Sequence, residues 1–144
     1  MDVCCLNRPF DDATQDRVRI ESEAVLTILS RRQSRKWILL GSEVVDIEIS
    51  KIRNVERRRK ASFLSTISQS YIVVDEFVEE RALRLSELKF KSFDALHIAC
   101  AERAGADVLL TTDDSLLQKA LQQADALRVR LENPVTWLME EIGR

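Results

Sequence analysis

Phe93 to Asp114 reads FDALHIACAERAGADVLLTTDD. Ser92, just before it, is placed to cap a helix running through Ala104, and Gly105 stops that helix. Val108 to Thr111 then reads as a buried strand, and Asp113-Asp114 leads into a helix from Ser115 to Gln123. A helix, a glycine stop, an aliphatic strand and a second helix behind an acid pair form the unit from which helix-covered parallel sheets are built. The expected fold class is therefore α/β.

Outward from this stretch the same alternation continues. Residues 17 to 32 predict a helix with Ile20, Ala24, Val25, Ile28 and Leu29 on one face. Trp37 to Leu40 predicts a buried strand, and Ser42 an N-cap for a helix through Ile52. A further helix is expected over 55 to 67 and a strand over Tyr71 to Val74. Asp75 is placed to cap a helix through Leu85. Arg128 to Leu131 predicts an edge strand, and Pro134 suits the first turn of a closing helix. Met1 to Leu6 reads as a strand stub. Ligands of open α/β sheets bind beyond the carboxyl ends of the strands.

The chain has 144 residues, 45% of them hydrophobic, enough for one domain with a sizeable core. With 22 basic and 24 acidic residues the net charge is -2, which gives no bulk signature of nucleic-acid binding. Cys4, Cys5 and Cys100 lack zinc-type spacing and are expected as reduced thiols in a cytoplasmic protein. No apolar run approaches the ~20 residues of a membrane span, and no signal peptide is expected.

Four acids stand in separate segments where an acid is either awkward or well aimed. Glu48 shares the i, i+3, i+4, i+7 stripe of Val45, Ile49 and Ile52, an inward position that is costly without a partner. An edge position with the carboxylate reaching solvent or an arginine is the alternative. Asp94 opens an apolar helix, where the helix dipole alone also favours an acid. One of Asp113 and Asp114 must be an N-cap. Asp114, nearer the helix start, is given that role, leaving Asp113 to face the crevice. Asp2 lies in the strand stub. Gathered at strand ends, such like charges need a cation among them, and oxygen-only donors suit Mg²⁺ or Mn²⁺.

These residues resemble a PIN domain. The run DALHIACA followed by Gly-Ala-Asp, a strand and Thr-Thr-Asp is similar to the second half of that family. Ser42 to Glu48 resembles its Ser, five residues, Glu signature; Asp2 resembles its first-strand Asp, and Asn133-Pro134 its closing Asn-Pro. The resemblance covers essentially the whole chain. It implies a three-layer α/β/α fold with a central parallel sheet of about four to five strands in a single domain, 1–144. It also implies metal-dependent endoribonuclease activity, most often as the VapC-type toxin of a type II toxin–antitoxin pair. Implied partners are an RNA substrate, a cognate antitoxin and a second copy of the chain. Asp2, Glu48, Asp94 and Asp113 are implied as the catalytic and metal-binding acids, Glu48 through water, with Asp114 in support. Two departures stand out. Only Met1 precedes Asp2 where the family places several apolar residues, so the first strand reads as truncated at the N-terminus. Val3-Cys4 replaces the family's polar pair.

Four further features have competing readings. His97, the only histidine, reads as a satisfied core residue, although its i+3 spacing from Asp94 also suits a general base. Arg57 to Lys60 and the Arg31, Arg32, Arg35, Lys36 cluster read as solvated faces, with contact to RNA phosphates as the alternative. Thr111 or Thr112 is placed to hydrogen-bond a carboxylate or phosphate. Trp37 and Trp137 read as core or interface. A PIN-like domain acting only through protein contacts is the competing function. A receiver or Asp-nucleophile phosphatase is disfavoured because Lys119, on a helix, is poorly placed.

Overall fold

The structure is a computed structural model that describes residues 1–31 and 37–143. Its elements run α1 (Val3–Asn7), a 3-10 turn (Arg8–Phe10), α2 (Asp16–Arg31), β1 (Leu40–Ser42), α3 (Glu43–Ser50), α4 (Val55–Ser65), β2 (Ser70–Ile72), α5 (Glu76–Glu87) and α6 (Ser92–Arg103). There follow β3 (Val108–Leu110), α7 (Asp114–Gln122), a 3-10 turn (Ala124–Ala126), β4 (Arg130–Glu132) and α8 (Pro134–Ile142).

All strand pairing is parallel, as the alternation predicts. β1 pairs with β2 in the register Gly41↔Tyr71, and β3 with β4 in the register Leu109↔Leu131. The expected single sheet of about four to five strands is not formed: the described strands make two separate two-stranded sheets. Met1 to Leu6 is not a strand stub, because Asp2 caps α1 and the following residues turn into helix. Asp2 alone keeps extended backbone, and its N–H donates to the Leu110 carbonyl at 3.0 Å.

Helices cover both faces. Successive side chains of a strand point to opposite sides, and β3 uses this to serve two cores. Leu109 joins Val78, Leu85, Ile98 and Leu116, supplied by α5, α6 and α7. Leu110 joins Leu6, Val25, Ile49, Leu64 and Leu138, supplied by α1, α2, α3, α4 and α8. Helix α3 is divided in the same way, Val44 entering the first core and Val45 and Ile49 the second.

Several local expectations shift. Trp37 to Leu39 precede β1 rather than form it, and Ile38 is exposed. Trp37 packs on Trp137, with ring centroids 4.9 Å apart. Ser42 does cap α3, accepting from the Val45 N–H at 3.1 Å, and Asp75 caps α5. Ser92 is not a cap: the cap position falls on Lys91, and Ser92 is the first helical residue of α6. Gly105 has φ +67, the left-handed conformation that ends α6 without a Cβ penalty. No described helix is long and apolar enough to cross a membrane.

Candidate metal centre

Asp2 stands where the chain enters between the end of β3 and the start of α1. Its Oδ1 accepts the Cys5 N–H at 3.1 Å, one of the orphan donors of a helix start. Only 4% exposed, the carboxyl has its pKa raised by burial, against the opposing pull of the Thr111 hydroxyl and the Cys5 amide. Thr111, fully buried past the end of β3, also accepts the Asp113 N–H at 3.1 Å, so one hydroxyl serves two of the acids.

Asp94 lies in the first turn of α6, which packs against α3. Glu48 reaches across from α3, and its Oε1 lies 2.8 Å from His97 Nε2. His97 is buried, as the core reading expects, but its partner is one of the four acids. Glu48 is neither wholly inward nor paired to an arginine: its side chain is 32% exposed, with the imidazole fixing its inner end.

The acids act on common neighbours. Burial raises the Asp94 pKa first, and Asp113, Asp2 and Glu48 then add to the rise. The Cys4 thiol, at the exposed rim, is pushed up to about 12 by lost hydration together with Asp2, Asp113, Glu48 and Asp94. Asp2 and Asp113, at the caps of α1 and α7, thus bear on the same neighbours as Glu48 of α3 and Asp94 of α6. Among the described residues no three side-chain donors are drawn together tightly enough to hold an ion. The donor chemistry nevertheless fits a hard cation: four carboxylates, one of them buried, and among the described residues no imidazole free of a partner.

The roles given to the acid pair after β3 need correction. Asp113, not Asp114, is the N-cap of α7, its Oδ1 accepting the Leu116 N–H at 3.2 Å. An Asp cap keeps a second oxygen, so capping does not remove Asp113 from the acid group. Asp114 is 68% exposed and turned away, gripped by Arg17 at 2.6 and 2.7 Å, which holds its carboxyl below the usual range.

Behind the acids lies a residue that the sequence reading passed over. Glu21 of α2 is only 3% exposed. Arg8 Nη2 lies 3.0 Å from its Oε1, while Arg17 Nη2 at 3.3 Å and Asn133 Nδ2 at 2.6 Å approach Oε2. Arg17 also donates to the Thr112 carbonyl at 3.2 Å, and Asn133 caps α8. Glu21 therefore ties together the loop carrying Asp113 and the starts of α2 and α8. Its signal was present: Glu21 stands in line with Val18, Val25 and Ile28, the same argument that singled out Glu48.

The basic run is largely committed within the molecule. Arg57 pairs with Asp11, Arg58 donates to the Ile52 carbonyl at 2.9 Å, Arg59 lies 3.7 Å from Glu56, and Lys60 sits 5.4 Å over the Phe10 ring. Arg32, Arg35 and Lys36 fall outside the described residues.

The family model for the PIN domain matches residues 17–121. Two curated relatives are each named ribonuclease VapC35, from Mycobacterium tuberculosis strains CDC 1551 / Oshkosh and ATCC 25618 / H37Rv. Each is 28% identical over 123 residues, spanning 82% of this chain and 87% of the relative. No solved structure matches the chain. With its family model spanning well over half the sequence, the chain belongs to the PIN domain family.

Proposed function

We propose that the chain is a metal-dependent endoribonuclease of PIN type, acting as the toxin of a type II toxin–antitoxin pair. The observation that carries this reading is the placement of the acids: Asp2 donates its N–H to the Leu110 carbonyl, Asp113 donates its N–H to the neighbouring Thr111 hydroxyl, and Glu48 bonds His97 of the helix that Asp94 opens. Kinship to proteins named ribonuclease VapC35 supports RNA as the substrate class and a cognate antitoxin as partner, and we infer a second copy of the chain as a further partner.

Asp2, Asp94 and Asp113 would hold Mg²⁺ or Mn²⁺, and a bound ion of this kind polarises a phosphate and acidifies a water. Glu48 orients the attacking water and accepts its proton, while His97 fixes Glu48 at 2.8 Å and limits its rotamers. Thr111 holds Asp2 and Asp113 in mutual register. Asp114 supports the site indirectly, by engaging Arg17 beside Thr112. No side chain needs to serve as a covalent nucleophile.

The divided sheet and the unconverged donors favour a second reading, a catalytically impaired PIN-like domain that works through protein contacts. The deciding assay is cleavage of single-stranded RNA with Mn²⁺, alongside Asp94→Asn. Cleavage that Asp94→Asn abolishes supports the nuclease. Absence of cleavage with retained antitoxin binding supports the alternative.

A further inference from the structure

Helices α5 and α6 pack together and leave a cleft of about 330 Å³ that Arg128, just before β4, also lines. Phe77, Arg81 and Arg84 stand at i, i+4 and i+7 of α5 and so share one stripe along it. Ala99 of α6 is buried and too short to fill the space beside them. One carboxylate holds the walls. Glu102, its side chain 4% exposed, accepts from Arg81 Nε at 2.7 Å, Arg81 Nη2 at 3.2 Å and the Arg128 N–H at 2.7 Å. Arg81 Nη2 also donates to the Ala126 carbonyl at 2.6 Å. Walls fixed in this way lower the ordering cost of binding. Glu102 neutralises Arg81, and Asp75 neutralises Arg103 across 3.1 Å. Among the described residues Arg84 and Arg128 remain exposed with no side-chain partner, and Glu80 is the one acid on the walls left to oppose them. Phe77 is 67% exposed and carries the Arg103 guanidinium 5.0 Å over its ring.

We propose that this cleft docks single-stranded RNA, with one base stacked on Phe77 and the flanking phosphates on Arg84 and Arg128. The choice of RNA rests on the function proposed above; the mode of binding follows from the walls. Every base has a π-face, and an exposed ring among guanidinium groups is a platform on which unpaired bases stack. An arginine without a partner offers a phosphate two parallel N–H donors, and here two such arginines come from different elements. The volume lies at the lower end of the roughly 300–1,000 Å³ of small-molecule sites, which suits one nucleotide and excludes a helix. A duplex is a poor occupant because its bases are already stacked and paired. An acidic peptide would satisfy the arginines and leave the Phe77 ring unused. Asp94 and Arg103 lie nine residues apart on α6, about 14 Å along its axis. The docked base is therefore remote from the acids, and the cleft selects which stretch of a longer strand reaches them.

The test is fluorescence anisotropy of a labelled single-stranded RNA of about eight nucleotides, titrated with the full chain in chelator over a range of salt concentrations. Phe77→Ala should weaken binding about tenfold. Arg84→Gln and Arg128→Gln should each weaken it and each reduce the slope of log affinity against log salt by about 0.7. Arg53→Gln, which removes an exposed arginine outside the cleft, should have little effect. All four positions are exposed, so the variants should melt with the parent. Failure of the parent to bind, affinity unchanged in Phe77→Ala and Arg84→Gln, or an equal loss in Arg53→Gln overturns the proposal. Equally tight binding of a duplex RNA or of a polyglutamate peptide also overturns it. Binding in chelator is independent of cleavage. RNA bound through the cleft but never cut with Mn²⁺ leaves the docking site and removes the nuclease, and cutting that ignores these substitutions in an RNA that binds elsewhere does the reverse.

Discussion

Replacing Asp94 by Asn removes one charge from the acid group at nearly constant volume. Its stability effect has two opposing parts. An acid in the first turn of α6 gains about 0.3–1 kcal/mol from the helix dipole, and Asn forfeits this. Against it stands repulsion from Asp113, Asp2 and Glu48, together with the cost of burying the charge, which raise the Asp94 pKa. No cap is lost, because the cap position is Lys91. Without metal the variant should therefore be at least as stable as the parent, in the manner of stabilising changes at functional sites. With Mn²⁺ at a hundredfold excess over its dissociation constant, the parent should gain about 2.7 kcal/mol. For a chain of this size that is roughly 5–10 °C in the unfolding midpoint. Each tenfold loss of affinity in the variant removes about 1.4 kcal/mol of that gain, and a hundredfold loss erases nearly all of it. The assay is thermal melting of parent and variant with chelator and with Mn²⁺. Equal Mn²⁺ shifts would remove Asp94 from the site. A large loss of stability in chelator would make it a structural residue.

The pH dependence of the same pair has a definite sign. Asp94 and Asp2 have raised pKa values in the folded state, so their protonated forms are favoured by folding. That contribution is complete below the ordinary Asp value of about 3.9 and is lost as pH rises through the raised values. In chelator, the advantage of Asp94→Asn over the parent should be absent near pH 3.5 and grow toward neutrality; a pH-independent difference in urea titrations would refute the cause. Asp113→Asn keeps a good cap and should change stability by only a few tenths of a kcal/mol, whereas Asp113→Ala should cost about 1 kcal/mol. Both should blunt the Mn²⁺ shift, and Asp114→Ala, which breaks an exposed pair and reaches the site only through Arg17, should blunt it far less. Glu21→Ala leaves Arg8 and Asn133 without their shared carboxylate and should cost about 3 kcal/mol by urea denaturation. A loss below 1 kcal/mol would show that water replaces Glu21 freely.

The order of elements and the position of the acids were written in local chemistry. Gly105, Ser42, Asp75 and Pro134 act on their own neighbours, and the structure uses each where the sequence placed it. Apolar periodicity located α2, cap and stop residues located α5 and α6, and the acids proposed for the site were singled out by their positions within single segments. What depended on contacts between distant segments was not legible. The Glu48–His97 bond joins α3 to α6, and the Glu21 cluster joins residues as far apart as Arg8 and Asn133. Asp113 and Asp114 differ by one position, and their roles were set by Arg17, which reaches over from α2 to take Asp114. Whether Met1 to Leu6 forms strand or helix was likewise settled outside the segment. A strand needs backbone partners along its whole length, whereas a five-residue helix behind an Asp cap satisfies itself, and only tertiary structure shows which of these the chain can supply.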